Sequence, residues 1–239
     1  MILNREKPEY SPDVIGRAIW CHYFEDKPSL ISLSIDDLEE EPMSSAYFFR
    51  TESEMNEAER SALSLCRGKV LDVGAGAGCH ALILQQKGLE VVAVERSAKA
   101  CEVLASRGIQ NVLNCDIFQV ADNGFDTILL LMNGFGIGRN EQGVVDLLIH
   151  LKSLLSPGGK IMGDSTDIRY FKEDSAVLDL TDLPPHEVTF NIESNGESER
   201  FSWIYPNEFL LEALAEEAGL KFNAVMYSDE FHFLCELYV

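Results

Sequence analysis

The feature that most constrains this chain lies between residues 70 and 80, which read Val-Leu-Asp-Val-Gly-Ala-Gly-Ala-Gly-Cys-His. A short apolar strand, Lys69–Val73, runs into a loop with glycine at every second position, Gly74, Gly76 and Gly78, and a helix starts behind it. Glycine reaches positive φ without a Cβ penalty and lets a ligand approach the backbone closely. Three alternating glycines cost folding entropy and have no use in packing, so the loop reads as a binding element. In an open parallel sheet such a loop lies at the C-terminal edge, beside the free N–H groups of a helix start. An acid, Glu95, ends the next strand 19 residues after Gly76. That is near the spacing of about 20 at which a carboxylate meets the vicinal hydroxyls of a ribose.

Around this loop, strands and helices alternate. Lys69–Val73 is followed by a helix to Lys87, and Glu90–Glu95 by a helix that Ser97 caps and Gly108 ends. Asn111–Asn114 and residues 125–132 are the third and fourth strands. The continuous apolar run Ile128-Leu129-Leu130-Leu131 suits a strand covered on both faces. Asn140 caps a helix with Val144, Leu147, Leu148, Leu151 and Leu155 at helical spacing. Pro157-Gly158-Gly159 stops that helix, and residues 160–164 form a fifth strand. The alternation predicts an α/β fold with a doubly wound, mostly parallel sheet. Residues 1–66 read as an N-terminal helical extension or lid. One helix starts at Ser11-Pro12-Asp13 and carries Val14, Ile15, Ala18, Ile19 and Tyr23 on one face, and a second covers residues 54–66. The domain proper is residues 67–239, with an inserted segment at about 167–205. Within the insert, 187–193 and 199–205 form a hairpin around Asn195-Gly196. A helix over 207–218 and two strands, 222–227 and 231–238, complete the chain.

Charge narrows the partners. Asp and Glu number 40 against 19 Lys and Arg in 239 residues, for a formal net charge of −21. A nucleic acid would be repelled, and no basic patch offsets this. A basic protein would be attracted. The acidic run at 36–41 reads as solvated surface. The six cysteines include no C-x-x-C pair and no zinc-like spacing, which points to reduced thiols, no metal and a cytoplasmic setting. No apolar leader opens the chain and no apolar stretch approaches 18 residues, so neither export nor a membrane span is expected.

Two nucleoside cofactors compete for the glycine loop. Gly76-x-Gly78-x-x-Ala81 matches the dinucleotide fingerprint. There, however, the first glycine comes directly off the strand, whereas here Gly74-Ala75 intervenes and Asp72 stands where an apolar residue belongs. The segment instead resembles motif I of the class I S-adenosylmethionine-dependent methyltransferases, D/E-x-G-x-G-x-G, with Asp72, Gly74, Gly76 and Gly78 at its marked positions. Further landmarks follow in order: Glu95 after the second strand, Asp116 in Asn114-Cys115-Asp116-Ile117-Phe118 after the third, Phe125-Asp126-Thr127-Ile128-Leu129 opening the fourth, and Leu155-Ser156-Pro157-Gly158-Gly159 before the fifth. The resemblance covers residues 70–164. It implies a Rossmann-like, seven-stranded sheet ending in an antiparallel hairpin.

It also implies roles. Gly74, Ala75, Gly76 and Gly78 would pass under the methionine moiety, and Asp72 would orient the loop and the amino group. Glu95 would hold the ribose, Arg96 would flank the adenine, and Asp116 with Ile117 would hold it. His80 would reach the cofactor carboxylate, or be a buried, hydrogen-bonded histidine. Met132, Asn133 and Gly134 would face the sulfonium and the acceptor. The sequence Asn133-Gly134-Phe135-Gly136 lacks the prolines of the family's base-methylating N-P-P-[FY] enzymes.

The implied activity is methyl transfer from S-adenosylmethionine to a small-molecule acceptor. The donor is already activated, so the reaction needs placement more than a catalytic residue. Asp164 and Asp167 are candidates for a base or, ahead of that, for a carboxylate capping the next turn, Ser165-Thr166-Asp167. Tyr47, Phe48 and Arg50 are candidates for a lid, Arg50 facing the cofactor carboxylate, or for plain packing. Trp203 and Tyr205 are candidates for the acceptor pocket or a satellite core, and His232 for a structural or solvent-facing role. A nicotinamide-dependent oxidoreductase on a similar sheet and a non-catalytic S-adenosylmethionine-binding protein are the alternatives. The acceptor and the oligomeric state are open at this point.

Overall fold

The computed structural model describes residues 12–36, 38–168, 186–228 and 231–239. A seven-stranded sheet carries the chain, in the order β10-β11-β7-β6-β3-β4-β5. Its strands are β3 (Lys69–Val73), β4 (Glu90–Glu95), β5 (Asn111–Asn114), β6 (Phe125–Leu130), β7 (Leu155–Thr166), β10 (Lys221–Tyr227) and β11 (His232–Tyr238). Strands β3 to β7 pair in parallel, and β11 runs antiparallel to both β7 and β10. The helices are α1 (Val14–Glu25), α2 (Glu57–Leu65), α3 (Cys79–Gln86), α4 (Ala98–Ser106), α5 (Glu141–Leu154) and α6 (Glu208–Glu217). The alternation of side chains along the strands builds two cores. Leu71, Ile128 and Leu130 pack with α5 and α6 on one face, and Val70, Leu129 and Met162 pack with α2 and α3 on the other. The apolar run of β6 is thus explained, since both of its faces are covered.

Asp126 ties the bottom of the sheet together. Its Oδ2 accepts from the Lys69 amide at 2.9 Å and its Oδ1 from the Ser156 hydroxyl at 2.6 Å. Between those ties, Pro157-Gly158-Gly159 sits as an irregularity within β7, between the pairs Phe125↔Leu155 and Thr127↔Lys160. At the opposite edge the strand order reverses at β3, with β4 on one side and β6 on the other, and a ligand crevice opens at such a switch point. The glycine loop leaves β3 there.

The N-terminal extension holds its two helices and adds something the sequence reading did not assign. Strands β1 (Leu30–Ile35) and β2 (Leu38–Ser44) lie between them and join the hairpin β8 (Glu187–Ser194) and β9 (Glu197–Ile204) in a second, antiparallel sheet, ordered β2-β1-β8-β9. The cause is visible in Leu30-Ile31-Ser32-Leu33-Ser34-Ile35, where residues 31, 33 and 35 are apolar with serines between. Ile31 is buried against Val14, Ala18 and Ile192, and Leu33 packs beside them. The hairpin turn is the expected Asn195-Gly196, both at positive φ (52° and 77°). The first helix is capped by Asp13, which accepts from the Gly16 amide at 3.1 Å. Ser11, the expected cap, lies outside the described residues, as do Asp37 of the acidic run and residues 169–185 of the insert. No helix among the described residues is long and apolar enough to cross a membrane, and no group of His, Cys, Asp and Glu among them is arranged to hold a metal.

Candidate active site

The glycine loop is pinned from below. The Gly74 and Ala75 amides both donate to the Val94 carbonyl of β4, at 2.9 and 3.2 Å. Gly74, Gly76 and Gly78 all take positive φ (71°, 54° and 82°), the region glycine enters without strain. The Gly76 amide donates to Glu95 Oε2 at 3.0 Å, and the Ser97 amide to Oε1 at 2.8 Å. One carboxylate therefore clamps the loop to the start of α4. Each oxygen keeps a further lone pair for a hydroxyl. Burial pushes the Glu95 carboxyl up, while the amides of Ser97 and Gly76 hold it down. The third glycine corrects an expectation, because it does have a use in packing. A Cβ at Gly78 would stand 2.6 Å from Leu104 Cδ2.

A cavity of about 1010 Å³ opens above the loop. Asp72, Gly74, Ala75, Gly76, His80, Glu95, Arg96, Asp116, Ile117, Met132 and Gly134 line it, whereas Gly78 and Asn133 do not. Its roof is the second sheet, through Ile31, Leu33, Phe190, Phe201 and Trp203, with Tyr205 just past the end of β9. Phe190 stacks on Phe201, with centroids 5.4 Å apart, and Phe201 meets Trp203 edge-on. Trp203 lies so close over Gly136 that a Cβ there would fall 1.9 Å from its indole nitrogen. Arg96 crosses to the roof and pairs with Glu199 at 3.0 Å.

Asp72 is 2% exposed and lines the cavity, and its buried Oδ2 has no hydrogen-bond partner. Burial pushes its carboxyl up, against the charge of His80 and the Ala81 amide. A buried acceptor without a donor is costly, and a ligand donor entering the cavity beside Asp72 could relieve it. With the Glu95 carboxylate and the open cradle of Gly76, Asp72 gives the residues needed for an amino group, a ribose and the chain between them.

His80 and Arg50 are spoken for by a third residue that the sequence reading missed. Glu59 pairs with the Arg50 guanidinium and with His80 Nε2, the latter at 2.8 Å, and all three are buried. Burial pushes Glu59 up, but its bonds to His80 and Arg50 outweigh that and hold it at about 2. Burial also works against the His80 charge, yet the contacts with Cys79 and Glu59 and the charge of Asp72 push it to about 10. The capping box Asn56–Glu59 is readable in sequence, but not the reach of Glu59 inward. Arg50 also caps the Tyr47 carbonyl and lies over that ring.

A second cavity, of about 580 Å³, adjoins the first, and Met132 lines both. Asn133 and Asp164 line the smaller one, with Tyr47, Thr166 and His232; Asp167 lines neither. Met132 and Asn133 stand in the left-handed region at φ 61° and 57°, which asparagine enters readily and methionine only with strain. Asp164 Oδ1 accepts from the Asn133 amide at 3.1 Å, and its Oδ2 lies 2.6 Å from His232 Nε2.

A solved S-adenosylmethionine-dependent methyltransferase from Bacteroides fragilis, in complex with S-adenosyl-L-homocysteine, is similar to this chain over 95% of its length and 94% of its own, at 32% identity and a TM-score of 0.85. The chain belongs to the S-adenosylmethionine-dependent methyltransferases. The cofactor of this methyltransferase is S-adenosylmethionine, which sets aside the dinucleotide reading of the loop. A family model described as a methyltransferase domain matches residues 70–159. The cypemycin N-terminal methyltransferase of a Streptomyces species is 28% identical over 107 residues, which are 43% of this chain and 44% of that protein. The fold is shared with the CcbJ methyltransferase of Streptomyces caelestis, at 14% identity over 80% of this chain and 92% of that one, with a TM-score of 0.61.

Proposed function

We propose that this methyltransferase acts on a small-molecule acceptor held in the roofed cavity, with S-adenosylmethionine seated across the glycine loop. The observation that carries the seat is the buried Asp72 Oδ2 without a partner, beside a loop clamped by Glu95. Asp72 takes the amino group, Glu95 the ribose hydroxyls, and Asp116 with Ile117 the adenine edge. Once bound, the cofactor supplies a methyl group already activated on a sulfonium. The protein's part is placement and exclusion of water. The aromatic roof supports an enclosed acceptor with apolar surface, and the net charge of −21 argues against nucleic acid.

A thermal-shift titration with S-adenosylmethionine, S-adenosylhomocysteine and NAD tests the seat. At 100 times its dissociation constant a ligand adds about 2.7 kcal/mol. For a chain of this size that raises the Tm by about 5–10 °C. The first two ligands are expected to produce that rise and NAD none. A rise with NAD alone would refute the reading. An acceptor panel read by S-adenosylhomocysteine release then tests the acceptor class.

A further inference from the structure

One cation in the wall of the larger cavity is committed to no other part of the protein. We propose that this residue, Arg139, anchors the acceptor, and that the acceptor is a small carboxylic acid with an apolar body. The inference rests on the methyl-transfer reading above and names the acceptor's chemical class.

Charge is the first argument. The basic residues that line the larger cavity, among the described residues, are His80, Arg96 and Arg139. His80 pairs with Glu59 and Arg96 with Glu199. The Arg139 side chain is exposed and makes no ion pair, hydrogen bond or ring contact among the described residues. Acids outnumber Lys and Arg by 40 to 19 in this chain, so a carboxylate partner is the ordinary expectation for an arginine. Asp146 of α5 lines the same cavity, yet it accepts from Gln142 Nε2 at 3.0 Å instead.

The backbone is the second argument. Arg139 stands at φ 70° and ψ −35°, where glycine is free of strain and a side chain is not. The turn is held there from several sides. The Arg139 amide donates to the Gly136 carbonyl at 2.9 Å. Gly143 packs on Gly138 so closely that a Cβ would fall 1.9 Å from its carbonyl oxygen, and Asn140 caps the Gly143 amide at 2.9 Å. The chain places glycine at 134, 136 and 138 and yet carries arginine at 139. An exposed side chain does not repay backbone strain by packing, and strain of this kind concentrates at functional sites.

Place is the third argument. Arg139 ends the short 3-10 helix Gly134–Gly138, which follows β6 on the sheet edge where ligands of open α/β sheets bind. Ile137 of that helix reaches the glycine loop, since a Cβ at Gly74 would stand 3.8 Å from its Cδ1. Trp203 closes over Gly136 from the roof, and its Nε1 is a donor without an acceptor among the described residues. The roof and the Arg139 turn therefore meet at one residue, Gly136. A guanidinium matches a carboxylate with two parallel N–H bonds, and the rings of Phe190, Phe201 and Trp203 suit an apolar body. A dianionic phosphate fits less well, because one guanidinium balances one charge and Asp116, Asp146 and Glu199 share the wall. An anchor away from the reacting atom turns binding energy into orientation, which is what methyl transfer needs.

The probes are 3-phenylpropionate, a ring with one carboxylate, and its neutral counterpart 3-phenylpropionamide. Both are titrated by calorimetry into the complex with S-adenosylhomocysteine. The natural chain is expected to bind the acid about tenfold tighter than the amide, or more. Arg139→Gln is expected to bring the ratio near one. Arg139→Lys keeps the charge but not the fork and is expected to fall between. Arg139→Gly is expected to lose the preference and to melt no lower than the natural chain, because glycine takes that φ freely. An arginine with a merely structural role would lower the melting temperature instead. S-adenosylhomocysteine affinity is expected to stay within about threefold in all three variants. A natural chain that binds the acid no tighter than the amide, or binds neither, overturns the proposal, as does a preference kept in Arg139→Gln. Failure of the natural chain to bind S-adenosylhomocysteine overturns the underlying reading instead.

Discussion

Gly76 and Gly78 look alike in the sequence and are expected to fail differently. A Cβ on Gly76 would stand 3.7 Å from Phe48 Cδ1, 3.9 Å from Ile19 Cδ1 and 4.0 Å from the Gly74 carbonyl, all ordinary contacts. The structural cost of Gly76→Ala is therefore the backbone alone. At φ 54° an L-residue pays about 1–2 kcal/mol. For a chain of this size that lowers Tm by about 2–8 °C and leaves the protein folded. The added methyl meets the cavity wall at the loop, so S-adenosylhomocysteine affinity is expected to fall at least tenfold, about 1.4 kcal/mol. Gly78→Ala adds the same kind of strain, at φ 82°, and a collision at 2.6 Å with Leu104. Overpacking contributes about 1–3 kcal/mol more. Gly78 does not line the cavity, so this variant is expected to melt lower than Gly76→Ala yet bind within threefold of the natural chain. Melting curves and calorimetry on both variants decide. Undiminished affinity in Gly76→Ala, or a binding defect confined to Gly78→Ala, would refute this placement of the ligand.

Glu95→Gln keeps the shape but turns an amide nitrogen toward one of the two backbone donors, Gly76 or Ser97. Losing a hydrogen bond to a charged acceptor costs about 1.5–3 kcal/mol, so S-adenosylhomocysteine affinity measured by calorimetry should fall about 10- to 100-fold. Glu59→Gln leaves the Arg50 and His80 charges buried together. A stability loss of about 3–5 kcal/mol is expected in denaturant melts. The same network sets a pH dependence. His80 is raised to about 10 from 6.5, so its contribution is complete below pH 6.5 and is lost as pH rises toward 10. Glu59 is lowered to about 2 from 4.5, so its contribution is present above pH 4.5 and is lost as pH falls toward 2. Melts across pH 6.5–10 should show an alkaline decline in the natural chain that His80→Gln flattens. An unchanged decline in that variant would place its source elsewhere.

What the sequence made legible was local. The bounds of β3, β4 and β5, the cap at Asn140 and the turn at Asn195-Gly196 depend on neighbours a few residues apart, and the structure has them where the pattern puts them. What escaped was made by distance. β1 has a period-two pattern and pairs locally with β2, but its other neighbour, β8, lies far along the chain and joins the pair to the hairpin of the insert. Glu59 reads as a helix-capping acid until the fold brings Arg50 and His80 onto it. His232 sits between two phenylalanines and looks structural, and its partner Asp164 is 68 positions away. A packing role for Gly78 required Leu104, which only the docking of α4 supplies.

The roof of the cavity joins Ser34 to Asn191, 157 positions apart. During synthesis the N-terminal parts of a chain emerge and begin to fold first, and contacts between distant segments wait for the later part. Strands β3 to β6 can therefore assemble the cofactor floor while β1, paired with β2, still lacks β8 on its other side. Until the hairpin of β8 and β9 has left the ribosome, Ile31 and Leu33 stay uncovered by it and the nascent chain has a floor without a roof. A ligand that needs only the floor is positioned to engage this protein earlier in its life than one that needs the roof.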